Sequence, residues 1–170
     1  MKAERPYPSI TITPKGERAI VSGHPWIYDA EITAVQPSIA DGDIVDVLSA
    51  KGRWLGSAFY NSHCIIRGRL ISRNANERFD DAFWLRRLRY AWEYRKSVLS
   101  EQDLSCCRII FGEADTFPGL TVDRFGDILV AQVLSLGIER RKDVLFHALA
   151  ALLREDGQPI RGIYERNDAA

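Results

Sequence analysis

Phe111-Gly-Glu-Ala-Asp-Thr-Phe-Pro-Gly-Leu-Thr-Val-Asp-Arg-Phe-Gly-Asp127 packs four acidic residues, three glycines and one proline between apolar runs. That composition describes a specified loop between two strands. Gly112, Gly119 and Gly126 suit tight backbone turns, and Pro118 stiffens the path between them. Working outward, residues 108–111, 120–125 and 128–134 read as strands, the last two joined through Gly126-Asp127. Before them, from Asp80, the period changes to that of a helix. Leu85, Leu88, Trp92 and Leu99, flanked by Trp84, Ala91 and Val98, form its apolar stripe, with Arg86, Arg89, Glu93 and Lys96 opposite. Asp80 and Asp81 suit its N-terminus. After the strands, a helix is predicted over 139–154 with Leu145, Leu149, Leu152 and Leu153 inward, stopped by Gly157 and Pro159. A short strand over 160–164 follows.

The first part of the chain has another rhythm. Ser9-Ile-Thr-Ile-Thr13 alternates like a half-buried strand, closed by Pro14-Lys15-Gly16, with a helical turn over 17–21. Further strands are predicted over 44–49, 54–60 and 65–72, separated by the turn sequences Asp41-Gly-Asp43 and Lys51-Gly-Arg53. Short strands at this spacing predict a small β-barrel of mixed or antiparallel strands. The polar break Asn74-Ala-Asn-Glu-Arg78 divides two domains, 1–73 and 74–170. The fold class is therefore α+β: a β pseudobarrel, then a small α/β domain of hairpin strands and helices.

At 170 residues and 46% hydrophobic, the chain has apolar material for one domain or two small ones. It has no apolar run long enough to span a membrane, and its polar start lacks the apolar segment of a secretion signal, so a cytoplasmic location is expected. Its 23 basic and 23 acidic residues cancel. By segment, 1–73 holds 9 basic and 7 acidic, 74–100 holds 6 and 4, and 101–170 holds 8 and 12, or +2, +2 and −4. That permits a phosphate-contacting face in the first part without requiring one. Cys64, Cys106 and Cys107 fit neither a disulfide framework nor a CxxC metal spacing, and buried reduced thiols are expected.

No glycine is followed by another two residues later, which excludes GxGxxG, and no GxxxxGK[ST] occurs. His24, His63 and His147 have no HExxH or cysteine pair beside them, so no metal site is expected. Ser62-His63-Cys64 places a nucleophile beside a base, but strand neighbours point to opposite faces. Lys15-Gly-Glu-Arg-Ala-Ile-Val-Ser-Gly-His-Pro-Trp-Ile-Tyr28 is more informative. Lys15 and Arg18 could neutralise phosphates, and His24, Trp26 or Tyr28 could stack on unpaired bases. In the competing reading, favoured for Trp26, the aromatics plug the barrel. Arg67 and Arg69, alternate residues on one strand face, are candidate helpers.

Two separated motifs carry a resemblance to a known family. Residues 1–73, through Lys15-Gly-Glu-Arg18 and Gly23-His-Pro-Trp-Ile-Tyr28, resemble a PUA domain, an RNA-binding pseudobarrel. The Gly112–Asp127 signature and Gly162-Ile-Tyr-Glu-Arg-Asn-Asp168 resemble the central domain of the ribosomal large subunit methyltransferase I family. Asn167 departs slightly from that pattern, where serine is common. The resemblance implies S-adenosylmethionine-dependent methylation of cytosine C5 in 23S ribosomal RNA, by a cysteine in a C-terminal Rossmann-like domain. Nothing here matches that domain's cofactor loop or nucleophile. The resemblance thus implies a non-catalytic fragment that binds RNA, holds no cofactor itself, and lacks a methyltransferase domain beginning after Asp168. Glu113, Asp115, Asp123, Arg124, Glu165, Arg166 and Asp168 are candidates for the interface with that domain, or for an internal ion-pair network. Two other readings are a stand-alone PUA-type module of another RNA-modification system, and an assembly domain using the aromatic helix 83–92 as its partner surface.

Overall fold

Alternation at the start builds β1 (Ser9–Ile12), whose Ile10 and Ile12 are fully buried. The computed structural model describes residues 5–166, so Asn167 and Asp168 lie outside it. Pro14 does not close the strand. It opens α1 (Pro14–Val21), where a missing amide costs nothing, and Thr13 Oγ1 accepts from the Gly16 amide at 3.2 Å. Two strands too short to show a period follow, β2 (Trp26–Tyr28) and β3 (Ile32–Val35), then β4 (Ile44–Ser49), β5 (Trp54–Tyr60) and β6 (Ile66–Ser72).

They form one curled six-stranded sheet in the order β2-β6-β5-β4-β1-β3. The β1–β4 pair is parallel and the others antiparallel. Ile10, Ile20, Ile27, Val47, Tyr60 and Leu70 meet in its core. Gly68 is required there, because a Cβ would stand 2.8 Å from Ile27 Cδ1. Backbone contacts divide the chain into two units, Met1–Asn76 and Glu77–Ala170.

The second unit opens with α2 (Asp81–Val98), capped by Asp80, whose Oδ1 accepts the Phe83 amide at 2.9 Å. The buried face is rotated from the expected stripe. Phe83, Trp84, Leu88, Ala91, Trp92 and Arg95 are buried, while Leu85 and Val98 are exposed. An apolar count cannot place an arginine inside, and Arg95 is inside because its charge is paired. Phe83, Trp84 and Trp92 of the stretch 83–92 point inward, and Tyr90 is the aromatic left exposed there.

Next come β7 (Cys106–Phe111), β8 (Leu120–Phe125), β9 (Ile128–Val133), α3 (Leu136–Glu139), α4 (Lys142–Glu155) and β10 (Gly162–Glu165). The predicted helix over 139–154 is α4, which starts past Arg141 and has Leu145, Leu149, Leu152 and Leu153 inward, and the separate turn α3, capped by Ser135, precedes it. The last strand lies slightly later than 160–164. The sheet order is β10-β9-β8-β7, with only β10–β9 parallel among these pairs. A bulge between Arg108 and Ile110 lets Ile109 and Ile110 both be buried. The thiols are less buried than expected: Cys106 is exposed, and Cys64 and Cys107 are half-buried. Among the described residues no helix is long and apolar enough to cross a membrane.

Candidate nucleic-acid interface and the signature loop

The end of α1 delivers the chain to β2 through one tight turn. Gly23 takes φ +103°, and the His24 amide donates to the Ala19 carbonyl at 3.0 Å. In β2 the pleat sends Ile27 into the core and leaves Trp26 and Tyr28 half-buried on the other face. Ile27, not Trp26, is therefore the residue that plugs the barrel. Pairing sets Trp26 opposite Arg69 of β6, whose guanidinium lies 5.7 Å from the Trp26 ring centre. His24 meets Trp26 edge-on at 5.8 Å and stacks on Tyr28 at 5.9 Å with 20° between the planes. Arg73, which the sequence reading missed, donates to the His24 carbonyl at 3.1 Å.

The structure thus brings His24, Trp26, Tyr28 and Arg69 into one aromatic and basic cluster. Lys15 and Arg18 are exposed on α1, the helix leading into it. Arg67 is diverted, because its Nε pairs with Asp29 at 2.8 Å. Arg5, a further residue without a sequence signal, clamps the start of the chain. It pairs with buried Asp46 at 2.7 Å, donates to Ser57 Oγ at 3.0 Å and to the Ala75 carbonyl, and lies against the Tyr7 and Trp54 rings.

In the signature loop the carboxylates have partners within the unit. Arg95 meets Asp115 through two bonds of 2.9 and 2.5 Å. The same pair reaches β7, the edge strand: Arg95 Nε donates to the Arg108 carbonyl at 2.8 Å, and Asp115 Oδ2 accepts the Phe111 amide at 2.7 Å. Asp115 thereby ties α2 to an edge whose polar groups would otherwise invite another strand. Asp123 pairs across the ladder with Arg108 at 2.8 and 3.0 Å. Arg124 is buried and donates to the Gly126 carbonyl and to Gln158 Oε1, each at 2.8 Å. Glu165 accepts from Lys142 at 2.9 and 3.0 Å, and Glu139 with Glu165 holds that ammonium well above the usual lysine range. Glu113 lies half-buried in the 3-10 turn Gly112–Asp115, and the Arg166 amide donates to the Ala131 carbonyl at 2.8 Å.

Ser62 and His63 are not arranged as a nucleophile and its base. Asp41, not His63, receives the Ser62 hydroxyl, at 3.0 Å, and His63 stands exposed 3.4 Å from the same carboxylate. His147 Nδ1 lies 2.7 Å from the Asp143 carbonyl oxygen on its own helix. Among the described residues no His, Cys, Asp and Glu group could hold a metal ion.

Comparison with known proteins agrees with this architecture. Residues 10–73 match the family model of a PUA-like domain. The ribosomal RNA large subunit methyltransferase I of Aeromonas hydrophila is 37% identical over 162 residues, covering 95% of this chain and 40% of that protein. Its Escherichia coli counterpart is 34% identical over 154 residues, covering 91% of this chain and 38% of that protein. The chain is a homologue of the ribosomal RNA large subunit methyltransferase I family. It spans about two-fifths of the length of these relatives, aligned to their N-terminal part. A Streptococcus mutans chain described as a SAM-dependent methyltransferase shares the fold, with TM-score 0.76 and 18% identity over 94% of this chain and 40% of that one.

Proposed function

We propose that this chain is the N-terminal, non-catalytic part of an S-adenosylmethionine-dependent ribosomal RNA cytosine-C5 methyltransferase, supplying RNA docking and a scaffold for a methyltransferase domain. The observation that carries the RNA half is the cluster of His24, Trp26, Tyr28 and Arg69 beside exposed Lys15 and Arg18. Half-exposed rings on a hydrogen-bonded strand offer a stacking platform for unpaired bases, and the cations supply phosphate contacts. The names of the relatives and the PUA-like match support the assignment to ribosomal RNA. In this reading residues 1–73 bind RNA and residues 74–170 are the scaffold. Glu113, Asp115, Asp123, Arg124, Glu165, Arg166 and Asp168 then order the side of the scaffold that meets the catalytic domain.

In the same reading this chain does not itself hold S-adenosylmethionine. The signature glycines serve turns, with Gly112, Gly119 and Gly126 at φ +50°, +83° and +61°, and no run of them cradles a nucleoside. In our reading the cofactor and the nucleophilic cysteine belong to the part of the relatives beyond the alignment. Fluorescence anisotropy with a structured ribosomal RNA fragment, in a salt series, tests the docking role. With three or four cations on phosphate, log K should fall against log salt with a slope of roughly −2 to −3. Calorimetric titration with S-adenosylmethionine should give no heat, and clear binding would overturn the assignment of the cofactor elsewhere.

A further inference from the structure

We propose that Arg73 is the phosphate-positioning residue of the first unit, the cation that sets one backbone phosphate of unpaired RNA in register with the rings of His24, Trp26 and Tyr28. The proposal rests on the RNA-docking reading above and gives Arg73 a task that Lys15 and Arg18 do not share.

Pairing between β6 and the chain leading into β2 continues past Trp26, where the Leu70 amide donates to the Pro25 carbonyl at 2.8 Å. Arg73, just beyond the end of β6, then reaches the His24 carbonyl through Nη2 at 3.1 Å. His24 is thereby held at both backbone groups, since its amide donates to the Ala19 carbonyl at 3.0 Å. Its ring stacks on Tyr28 and meets Trp26 edge-on. One residue, His24, therefore links the guanidinium to the stacked rings.

Charge selects the ligand. Arg5, Arg53 and Arg67 of the same unit are paired with Asp46, Glu17 and Asp29. Arg73 is exposed and bonded to a neutral carbonyl, and no carboxylate among the described residues pairs with it. A guanidinium carries five N–H donors in one plane, so the bond to His24 leaves a fork for the oxygens of a phosphate. Lys15 and Arg18 are exposed too, but no hydrogen bond to a described residue holds their charged ends. Unanchored cations attract any polyanion. An anchored one loses less freedom on binding and fixes where the phosphate lies.

The test is fluorescence anisotropy with a ribosomal RNA hairpin bearing an unpaired loop, in a salt series. It compares the whole chain with Arg73→Gln, Arg73→Lys and, as a control on the docking reading, Trp26→Ala. Arg73→Gln keeps a donor for the His24 carbonyl and removes the charge. It should weaken binding roughly tenfold and shrink the slope of log K against log salt by about 0.7, one phosphate on a single strand. Arg73→Lys should restore the slope yet bind roughly threefold more weakly than the intact chain, because an ammonium is a point charge without the planar fork. An arginine that only holds the His24 carbonyl would leave the slope of Arg73→Gln unchanged, and that result would overturn the proposal. Full affinity of Arg73→Gln beside a weakened Trp26→Ala would overturn it too, while leaving RNA docking in place. Hairpin binding indifferent to both changes would overturn the proposal and the docking reading together.

Discussion

Replacing Asp115 by Ala should expose how the signature loop holds the second unit together. The carboxylate is 12% exposed and its partner Arg95 is 10% exposed, so the substitution leaves a nearly buried guanidinium without its counter-charge. Removing one member of a buried pair costs about 3–5 kcal/mol, and the Phe111 amide loses its acceptor for about another 1 kcal/mol. Arg95 keeps the Arg108 carbonyl as a partner and gains some water where the side chain was removed. The net destabilisation should therefore be about 3 kcal/mol. At a urea dependence of about 2 kcal/mol per molar, the unfolding midpoint of the second unit moves down by roughly 1.5 M. Asp115→Asn separates charge from shape and should retain part of the loss. In a double-mutant cycle, Arg95→Met with Asp115→Leu should cost clearly less than the two single changes summed, because neither charge is then stranded. A loss below about 1 kcal/mol for Asp115→Ala would refute the reasoning, since it would mean that the pair does not organise the β7 edge.

Gly119→Ala should destabilise by more than about 1 kcal/mol in urea titration, because φ is +83° and a Cβ would stand 2.7 Å from Ser135 Cβ. Lys96 first, and then the Trp92 indole, lower the Asp156 carboxyl below its usual value. Its stabilisation is thus present above the unfolded carboxylate range and lost as pH falls through the depressed folded value. Asp156→Asn should weaken the protein at pH 7, by less than about 1 kcal/mol at this exposure, and not at pH near 2. Burial pushes the Cys107 thiol up, so iodoacetamide should modify dilute protein faster at exposed Cys106 than at Cys107, as mapped by peptide mass.

Most of the strands and both longer helices could be read from the sequence, because period and turn residues agree there. The spans 44–49 and 54–60 stood out as short, largely apolar runs between turn residues, and 120–125 alternates. What escaped has a physical cause in each case. Three residues at Trp26–Tyr28 cannot show a period, and only pairing with β6 makes them a strand. Arg95 was not singled out, because its carboxylate partner lies twenty positions away, in the loop. The cluster of His24, Trp26, Tyr28 and Arg69 was half visible: the motif supplied the rings, but the register that puts Arg69 on Trp26 is a tertiary fact. Arg5 and Arg73 carried no signal, since single arginines near polar segments are ordinary. The carboxylates of the loop stood out by density alone, and the partners of Asp115 and Asp123, Arg95 and Arg108, come from tertiary structure.

The most direct test of RNA docking compares the intact chain with Trp26→Ala and Arg69→Ala in binding a ribosomal RNA hairpin with an unpaired loop. Loss of one stacked base costs about 1–3 kcal/mol, so Trp26→Ala should weaken binding roughly 5- to 150-fold. Arg69→Ala should weaken it and flatten the salt dependence, while a fully paired duplex should respond little to Trp26→Ala. Equal affinity of all three proteins for the hairpin would contradict the account.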